Sequence, residues 1–381
     1  MTKGHFLGIV VVSAHVQCAM AQSPFATRVI DYSPAPGQNV NNSAYNNPAA
    51  AVGPPIGGGM TAADNSKVVT LGGWGGSITL GFDHAIINRP PTATNPRGCD
   101  FIVFGNAFLV AGNPDRRWAE PAAIEVSRDA NGNGLADDEW FVIRGSHLPA
   151  PAAAIVTVTL HGSDFPAAWL PQGKTSTSVW TVTAYRLNDP IFTSGAVLQN
   201  PLAATGDSGI WGYADCGPVL LTGDLDGDDV IDNPAADPEH FFTIPTDPMR
   251  TVTTRFSGGG DAIDISWAAR GDGAPAGLTQ IDFVRISTGV NAVRGALGES
   301  STEISGVAEV VPRKLADVAG QGGTLGPDGI LTVDDIVVYL SLFFGGSNLA
   351  DCASLGGDIE PDSVLTVDDL VAFLSGFFSG N

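Results

Sequence analysis

Turn-forming residues interrupt this chain too often for long helices to form over most of its length. Glycine and proline number 48 and 26 among 381 residues, close to a fifth of the chain. In a helix interior Gly costs about 1 kcal/mol and Pro about 3 kcal/mol relative to Ala. From about Thr27 to Val311 they separate short apolar stretches that alternate. Ile78, Leu80 and Phe82 alternate with Ser77, Thr79 and Gly81, which predicts a strand with one buried and one wet face. Val156, Val158 and Leu160 predict the same, as do Ile263, Ile265 and Trp267 against Asp264 and Ser266. Phe101 to Phe104 is apolar on both faces and predicts a central strand covered from both sides. No stretch here carries a 3.6-residue period. About a dozen short strands fit a mainly β architecture, a large jelly-roll-like β-sandwich over residues 22–312.

The first 21 residues predict an export signal. Lys3 is followed by an apolar run from Phe6 to Met20, and Ala19-Met20-Ala21 has the small-x-small form that signal peptidase cleaves. The mature chain then begins at Gln22, outside the cell. No later stretch approaches the roughly 18 apolar residues of a spanning helix. Cys99, Cys216 and Cys352 remain after cleavage. Cys99 with Cys216 is the pair placed to bridge, and three buried thiols are the alternative. Charge excludes further classes: 40 acidic residues face 18 basic ones, for a net charge of −22. Nucleic acid and anionic membranes need clustered Lys and Arg, so neither is expected as a partner. Mean hydropathy of +0.14 leaves enough apolar surface for a core.

The last part of the chain is duplicated. Asp317, Pro327-Asp328 and Leu331-Thr332-Val333-Asp334-Asp335 return 34 positions later as Asp351, Pro361-Asp362 and Leu365-Thr366-Val367-Asp368-Asp369. An apolar helical run follows each copy, Ile336 to Phe344 and Leu370 to Phe378. From Leu315 onward there are ten acidic residues and no Lys or Arg. Like charges at that density repel unless a cation sits among them.

Four stretches have the alternating oxygen ligands of a calcium loop. In the first, Asp129, Asn131, Asn133 and Asp137 supply side chains and Leu135 a carbonyl, with Gly134 at the tight turn. Asp138 or Glu139 is in reach to complete the shell. In the second, Asp224, Asp226, Asp228 and Asp232 supply carboxylates and Val230 a carbonyl, with Asp229 at the turn. In the second tail copy, Asp358, Glu360, Asp362, Val364, Thr366 and Asp369 fall at positions 1, 3, 5, 7, 9 and 12 of such a loop. In the first tail copy, Asp328, Ile330, Thr332 and Asp335 fit positions 5 to 12, and Asp317 reaches in from a longer loop. Solvated turns and capping boxes at Thr332-x-x-Asp335 and Thr366-x-x-Asp369 are the metal-free alternatives.

Two calcium loop–helix units, each built on P-D-x-x-L-T-V-D-D, resemble a bacterial GC-type dockerin. The resemblance covers residues 313–381, with the departure that the chain ends Ser379-Gly380-Asn381 instead of Gly-Cys. It implies a Ca2+-binding α-helical module that docks to a cohesin-like or other surface component. Ile336, Tyr339, Leu340, Phe343, Leu370, Phe373, Leu374 and Phe377 are its candidate core and docking residues. The strings GCDFIVFGNAF, GGGDAIDISWA and IDFVRIS are similar to secreted bacterial cell-surface proteins of unassigned role, a likeness over most of residues 28–310 that implies a calcium-bearing extracellular β domain and says little about activity.

Catalytic signals are weaker. Gly206-Asp207-Ser208-Gly209 copies the string around a trypsin-like serine, but the Ala-Ala-His-Cys setting such enzymes need is absent. Glu125, Glu139, Glu299 and Glu303 are the candidates for a glycosidase carboxylate pair. Trp74, Trp118, Trp169, Trp180 and Trp211 are candidates for stacking on sugar. The expected function is a secreted surface or assembly protein that binds an extracellular ligand such as polysaccharide. An extracellular carbohydrate-active hydrolase carrying a dockerin is the alternative, and a purely structural surface role is the third reading.

Overall fold

A computed structural model describes residues 22–187, 210–250, 253–291, 301–359 and 361–380. Residues 1–21, expected to be an export signal, and Ser208, Glu299 and Glu360 therefore lie outside the described residues. The described chain is mainly β, with several antiparallel sheets and a small helical segment at the C-terminus. The largest sheet has six strands in the order Arg28–Ser33, Ser77–Ile87, Gln280–Thr288, Ala122–Ser127, Trp140–Ile143, Ala268–Ala269. A second has three, with Phe101–Phe104 between Asp261–Ile263 and Gly306–Glu309.

Register explains which residues enter the core. Ile286 pairs with Ile78 and Ile124, and Val284 with Leu80 and Val126. These two rows lie on one face and are buried. Arg285 pairs with Thr79 and Glu125 on the opposite face, as a period of two requires. That face is drier than Ser77, Thr79 and Gly81 led us to expect: Ser77 and Arg285 are half-buried, and Gly81 is buried. Thr79 is buried, because the hairpin of Ile155–His161 and Val179–Tyr185 lies over it and shares a groove with it. In the hairpin itself the alternation holds: Val156, Val158 and Leu160 are half-buried between exposed neighbours. The expected strand through Ile263, Ile265 and Trp267 stops at Ile263. Asp264 accepts a hydrogen bond from the Ser266 N–H (2.6 Å) and starts a 3₁₀ turn, Ile265–Trp267.

Phe101–Phe104 is buried throughout. Phe101 and Val103 join the core against the six-stranded sheet. Ile102 and Phe104 join a second core with Phe242, Phe256, Leu315, Tyr339 and Phe373. The three-stranded sheet is thus a middle layer, and its far side is covered by the duplicated tail. Tyr339 and Phe373, equivalent residues of the two repeats, stack at 3.8 Å between ring centres. The two tail helices, Val333–Gly345 and Val367–Ser379, each begin three residues before the apolar runs that announce them. Arg255 reaches across to the tail and donates to the carbonyls of Leu349 (2.5 Å) and Leu315 (3.3 Å). Cys99, Cys216 and Cys352 are buried thiols, and the Cys99–Cys216 bridge is not formed.

Candidate metal centres

Four aspartates build the same turn. Each takes the N–H groups of two consecutive residues, the second of which has a left-handed backbone. Asp129 accepts from Asn133 (3.0 Å) and Gly134 (2.7 Å), with Gly134 at φ 75°. Asp224 accepts from Asp228 (3.2 Å) and Asp229 (3.0 Å), with Asp229 at φ 66°. Asp317 accepts from Asp328 (2.9 Å) and Gly329 (2.7 Å), with Gly329 at φ 85°. Asp351 accepts from Asp362 (3.3 Å) and Ser363 (2.5 Å), with Ser363 at φ 67°. A side chain at φ > 0 costs energy, so Asp229 and Ser363 hold their places at a penalty that Gly134 and Gly329 avoid.

The residue before each left-handed position then accepts from the N–H two places on. Asn133 takes Leu135 (2.8 Å), Asp228 takes Val230 (2.8 Å), Asp328 takes Ile330 (3.0 Å) and Asp362 takes Val364 (3.0 Å). Leu135, Val230, Ile330 and Val364 all turn their side chains to solvent. An apolar residue placed this way presents only its backbone to the loop.

This geometry changes one assignment. In the second tail loop the first position belongs to Asp351, not Asp358. The Asp358 carbonyl accepts from the Ser354 N–H (2.8 Å), while the residue itself is exposed. Asp351 stands 34 positions after Asp317, so the duplication itself carried the signal.

Asp335 and Asp369 close the two tail loops. Asp335 Oδ1 accepts from Val318 and Ala319 (both 2.9 Å), and its Oδ2 from the Thr332 N–H (2.7 Å). Asp369 does the same with Cys352, Ala353 and Thr366. Thr332 and Thr366 complete capping boxes, so the capping reading holds at both helices. Burial by itself would raise the Asp369 carboxyl, but the N–H groups of Thr366, Cys352 and Ala353 outweigh it and hold the group below its ordinary range.

Carboxylates converge most closely in the second loop. Asp224, Asp226 and Asp232 bring oxygens within 4.8 Å of one another, close enough to hold a metal ion. Asp226 Oδ1 is buried with no hydrogen-bond partner. Burial, then the neighbouring Asp232, Asp228 and Asp224, push the Asp226 carboxyl up. Asp232 Oδ2 accepts from the Leu225 N–H (2.8 Å) and Asp228 serves its own turn. Asp229 points away and ties the loop to Met60 N (2.5 Å) and Thr61 Oγ1 (2.8 Å). In the first loop, Asn131 and Asn133 turn their amides toward Asp137 (3.3 and 3.1 Å), so the expected side chains form one ring. Asp282, unforeseen in the sequence, joins them by accepting the Asp129 N–H (2.9 Å).

Glu120, Asp215 and Glu303 form a second convergent group that sequence spacing could not reveal, because its members lie far apart in the chain. Asp215 accepts from Asn106 (2.9 Å) and Ala107 (3.0 Å). Burial, then Glu120, drive the Glu303 carboxyl well up. Of the other glycosidase candidates, Glu125 is held by both Arg285 nitrogens, Nε at 2.9 Å and Nη2 at 2.7 Å.

Trp74 is buried and donates to the Tyr185 carbonyl (2.9 Å), and Trp211 packs on Trp267 at 4.8 Å. Trp180 instead lines a groove of about 470 Å³ with Trp140, Thr181, Thr183 and Asp31. Lys174 sits over the Trp180 ring and Arg285 over that of Trp140, at 4.9 and 4.2 Å from the ring centres. No helix among the described residues is long and apolar enough to cross a membrane. No protein-family model matches the sequence, and no curated protein matches it either.

Proposed function

We propose that this is a secreted, calcium-stabilised surface or assembly protein. In this reading its β layers form a sandwich that binds an extracellular ligand such as polysaccharide, and its dockerin-like tail docks to a cohesin-like surface component. The observation that carries the calcium reading is Asp226 Oδ1, buried without a partner between Asp224 and Asp232. A carboxylate oxygen left in that state costs several kcal/mol unless it is protonated or bound to a cation. An all-oxygen donor set with no His or Cys suits Ca2+ over transition metals. The same turn at Asp129, Asp317 and Asp351 supports extending the reading to all four loops.

Calorimetric titration of metal-depleted mature protein with Ca2+, and with Mg2+ for comparison, tests it. Saturable Ca2+ binding that exceeds Mg2+ binding is the expected result. A flat Ca2+ isotherm would reduce the loops to hydrogen-bonded turns.

For the ligand, the groove beside Trp140 and Trp180 combines two indoles with threonine hydroxyls, the mixture that sugar recognition needs. Polysaccharide binding followed by tryptophan fluorescence is expected to weaken in Trp180→Ala. Asp31 is the single carboxylate lining this groove among the described residues, so the hydrolase alternative lacks a pair there. Docking is supported by a repeated apolar stripe. Val333, Val337 and Phe344 are exposed on one helix, and Val367, Val371 and Phe378 occupy the equivalent places on the other. Tyr339 and Phe373 serve the core instead, and Ile336, Leu340, Phe343, Leu370, Leu374 and Phe377 pack against it.

A further inference from the structure

Cations are scarce in this chain, yet four of its 18 Lys and Arg residues line one cavity. Arg97, Arg250, Arg255 and Arg313 stand around a space of about 420 Å³ where the tail meets the three-stranded-sheet side of the β part. Arg97 and Arg250 are the more exposed pair, at 42% and 45% side-chain exposure. Asp247 lies between them, 3.7 Å from Arg97 Nε and 3.6 Å from Arg250 Nε. Arg255 and Arg313 form no salt bridge among the described residues. The Arg255 guanidinium is spent on two backbone carbonyls. Arg313 has Nε and Nη1 sealed from solvent without an acceptor.

Both inner guanidinia lean on the Phe256 ring, at 5.5 and 5.0 Å from its centre. Burial, then the like charge of Arg255, pull the Arg313 guanidinium down to about 9, so it is still a cation at neutral pH. Two neighbouring guanidinia beside a cavity, with the Asp317 carboxylate near enough to act on Arg313, are a costly arrangement for structure alone. Guanidinium is also the side chain best suited to oxyanions. The remaining acids on the wall, Asp226 and Asp351, belong to the candidate metal loops.

We propose that this cavity binds a small oxyanion, a carboxylate, sulfate or phosphate group, with Arg255 and Arg313 facing it and Arg97 and Arg250 at its mouth. The proposal goes beyond the calcium reading. A cation in each loop would neutralise Asp226 and Asp351 and strengthen the site, but the arginines are present either way.

The test is calorimetric titration of the mature protein with inorganic sulfate, inorganic phosphate and glucuronate at constant ionic strength, once in Ca2+ and once in EDTA. The three probes separate tetrahedral from planar anions. Saturable binding of at least one probe in either buffer is expected, weakened about tenfold in Arg313→Gln and less in Arg250→Gln. Absence of binding by all three probes in both buffers overturns the proposal, as does unchanged affinity in both variants. Arg250 is at the surface, so its variant keeps the test decisive if Arg313→Gln folds poorly. Failure of the calcium reading would show separately, as a flat Ca2+ isotherm with anion binding intact in EDTA.

Discussion

Asp226 is the residue at which structure and charge conflict most, since its unpartnered oxygen faces two other carboxylates. Asp226→Asn keeps the shape and removes one charge. The metal-free variant is expected to be at least as stable as metal-free wild type, while its stabilisation by Ca2+ shrinks. Thermal melts of both proteins with and without Ca2+ check this, and a variant less stable than wild type in EDTA would mean the carboxylate serves structure alone. Asp351 and Asp358 give a second contrast. Asp351→Asn is expected to lower the Ca2+ stoichiometry by one and Asp358→Asn to leave it unchanged, because Asp351 receives the Asp362 and Ser363 N–H groups. Equal stoichiometry in the two variants would sink the reassignment. Part of this arrangement was legible from spacing: Asp129 and Asp224 open their turns where the spacing put them, whereas Asp317 fell outside the twelve-residue template and entered only through a longer loop. Spacing misled at Asp358 because it assumed a twelve-residue loop, whereas the tail closes its turn from Asp351 across a longer one. Asp282, Glu120 and Asp215 were not legible, and Glu303 was legible only as a catalytic candidate without these partners, since the fold brings them together from distant strands and loops.

Individual elements show the same division between local and tertiary causes. The capping boxes were visible as T-x-x-D because the atoms involved are three residues apart. Their cost on removal differs by residue. Thr366→Ala loses one cap and is expected to cost about 1 kcal/mol. Asp369→Ala strands the N–H groups of Cys352, Ala353 and Thr366 around a fully buried site, so about 3 kcal/mol or more is expected. Urea unfolding of the two variants checks the ordering, and equal losses would show that the three bonds to Asp369 are readily replaced by water. Phe101–Phe104 was legible as a doubly covered strand because its four residues are all apolar. The Ser77–Ile87 strand was only half legible. Alternation identified its core face, but nothing within eleven residues announces a hairpin from Ile155 to Tyr185 lying over the other. Trp267 ends in a 3₁₀ turn because Asp264 caps it, a local preference that outweighed the alternating pattern.

At the scale of the whole molecule the tail cannot be treated as a detachable module, because Leu315, Tyr339 and Phe373 share a core with Ile102, Phe104 and Phe256. The repeat signalled an independent unit, and only the packing reveals the common core. Deleting residues 313–381 would expose the outer face of the middle sheet, so the truncated β part is expected to aggregate on size-exclusion chromatography; a monodisperse product would refute this. The acidic balance has a further consequence for pH. Burial raises the Asp100 carboxyl from an ordinary 3.8 to about 7, and that of Asp261 likewise. A carboxyl with a raised folded-state value binds its proton more tightly folded than unfolded. Its contribution is therefore complete below about pH 4 and is lost as pH rises through about 7. For Asp100, which is fully buried, the loss approaches about 4 kcal/mol at 1.36 kcal/mol per unit. Asp224, Asp226, Asp317 and Asp351 are shifted in the same direction by burial. Asp369 has the opposite sign and loses its contribution in stronger acid. In EDTA the urea midpoint is thus expected to fall steadily from about pH 4 to about pH 7. Ca2+ should flatten the decline, since the ion takes the place of the protons on the loop carboxylates. Asp100→Asn should flatten it by a separate route, in a protein weakened overall because the new amide N–H opposes that of Arg89 or Ile265. A metal-free midpoint that rises over this range would show that the buried carboxyls fold in their charged form.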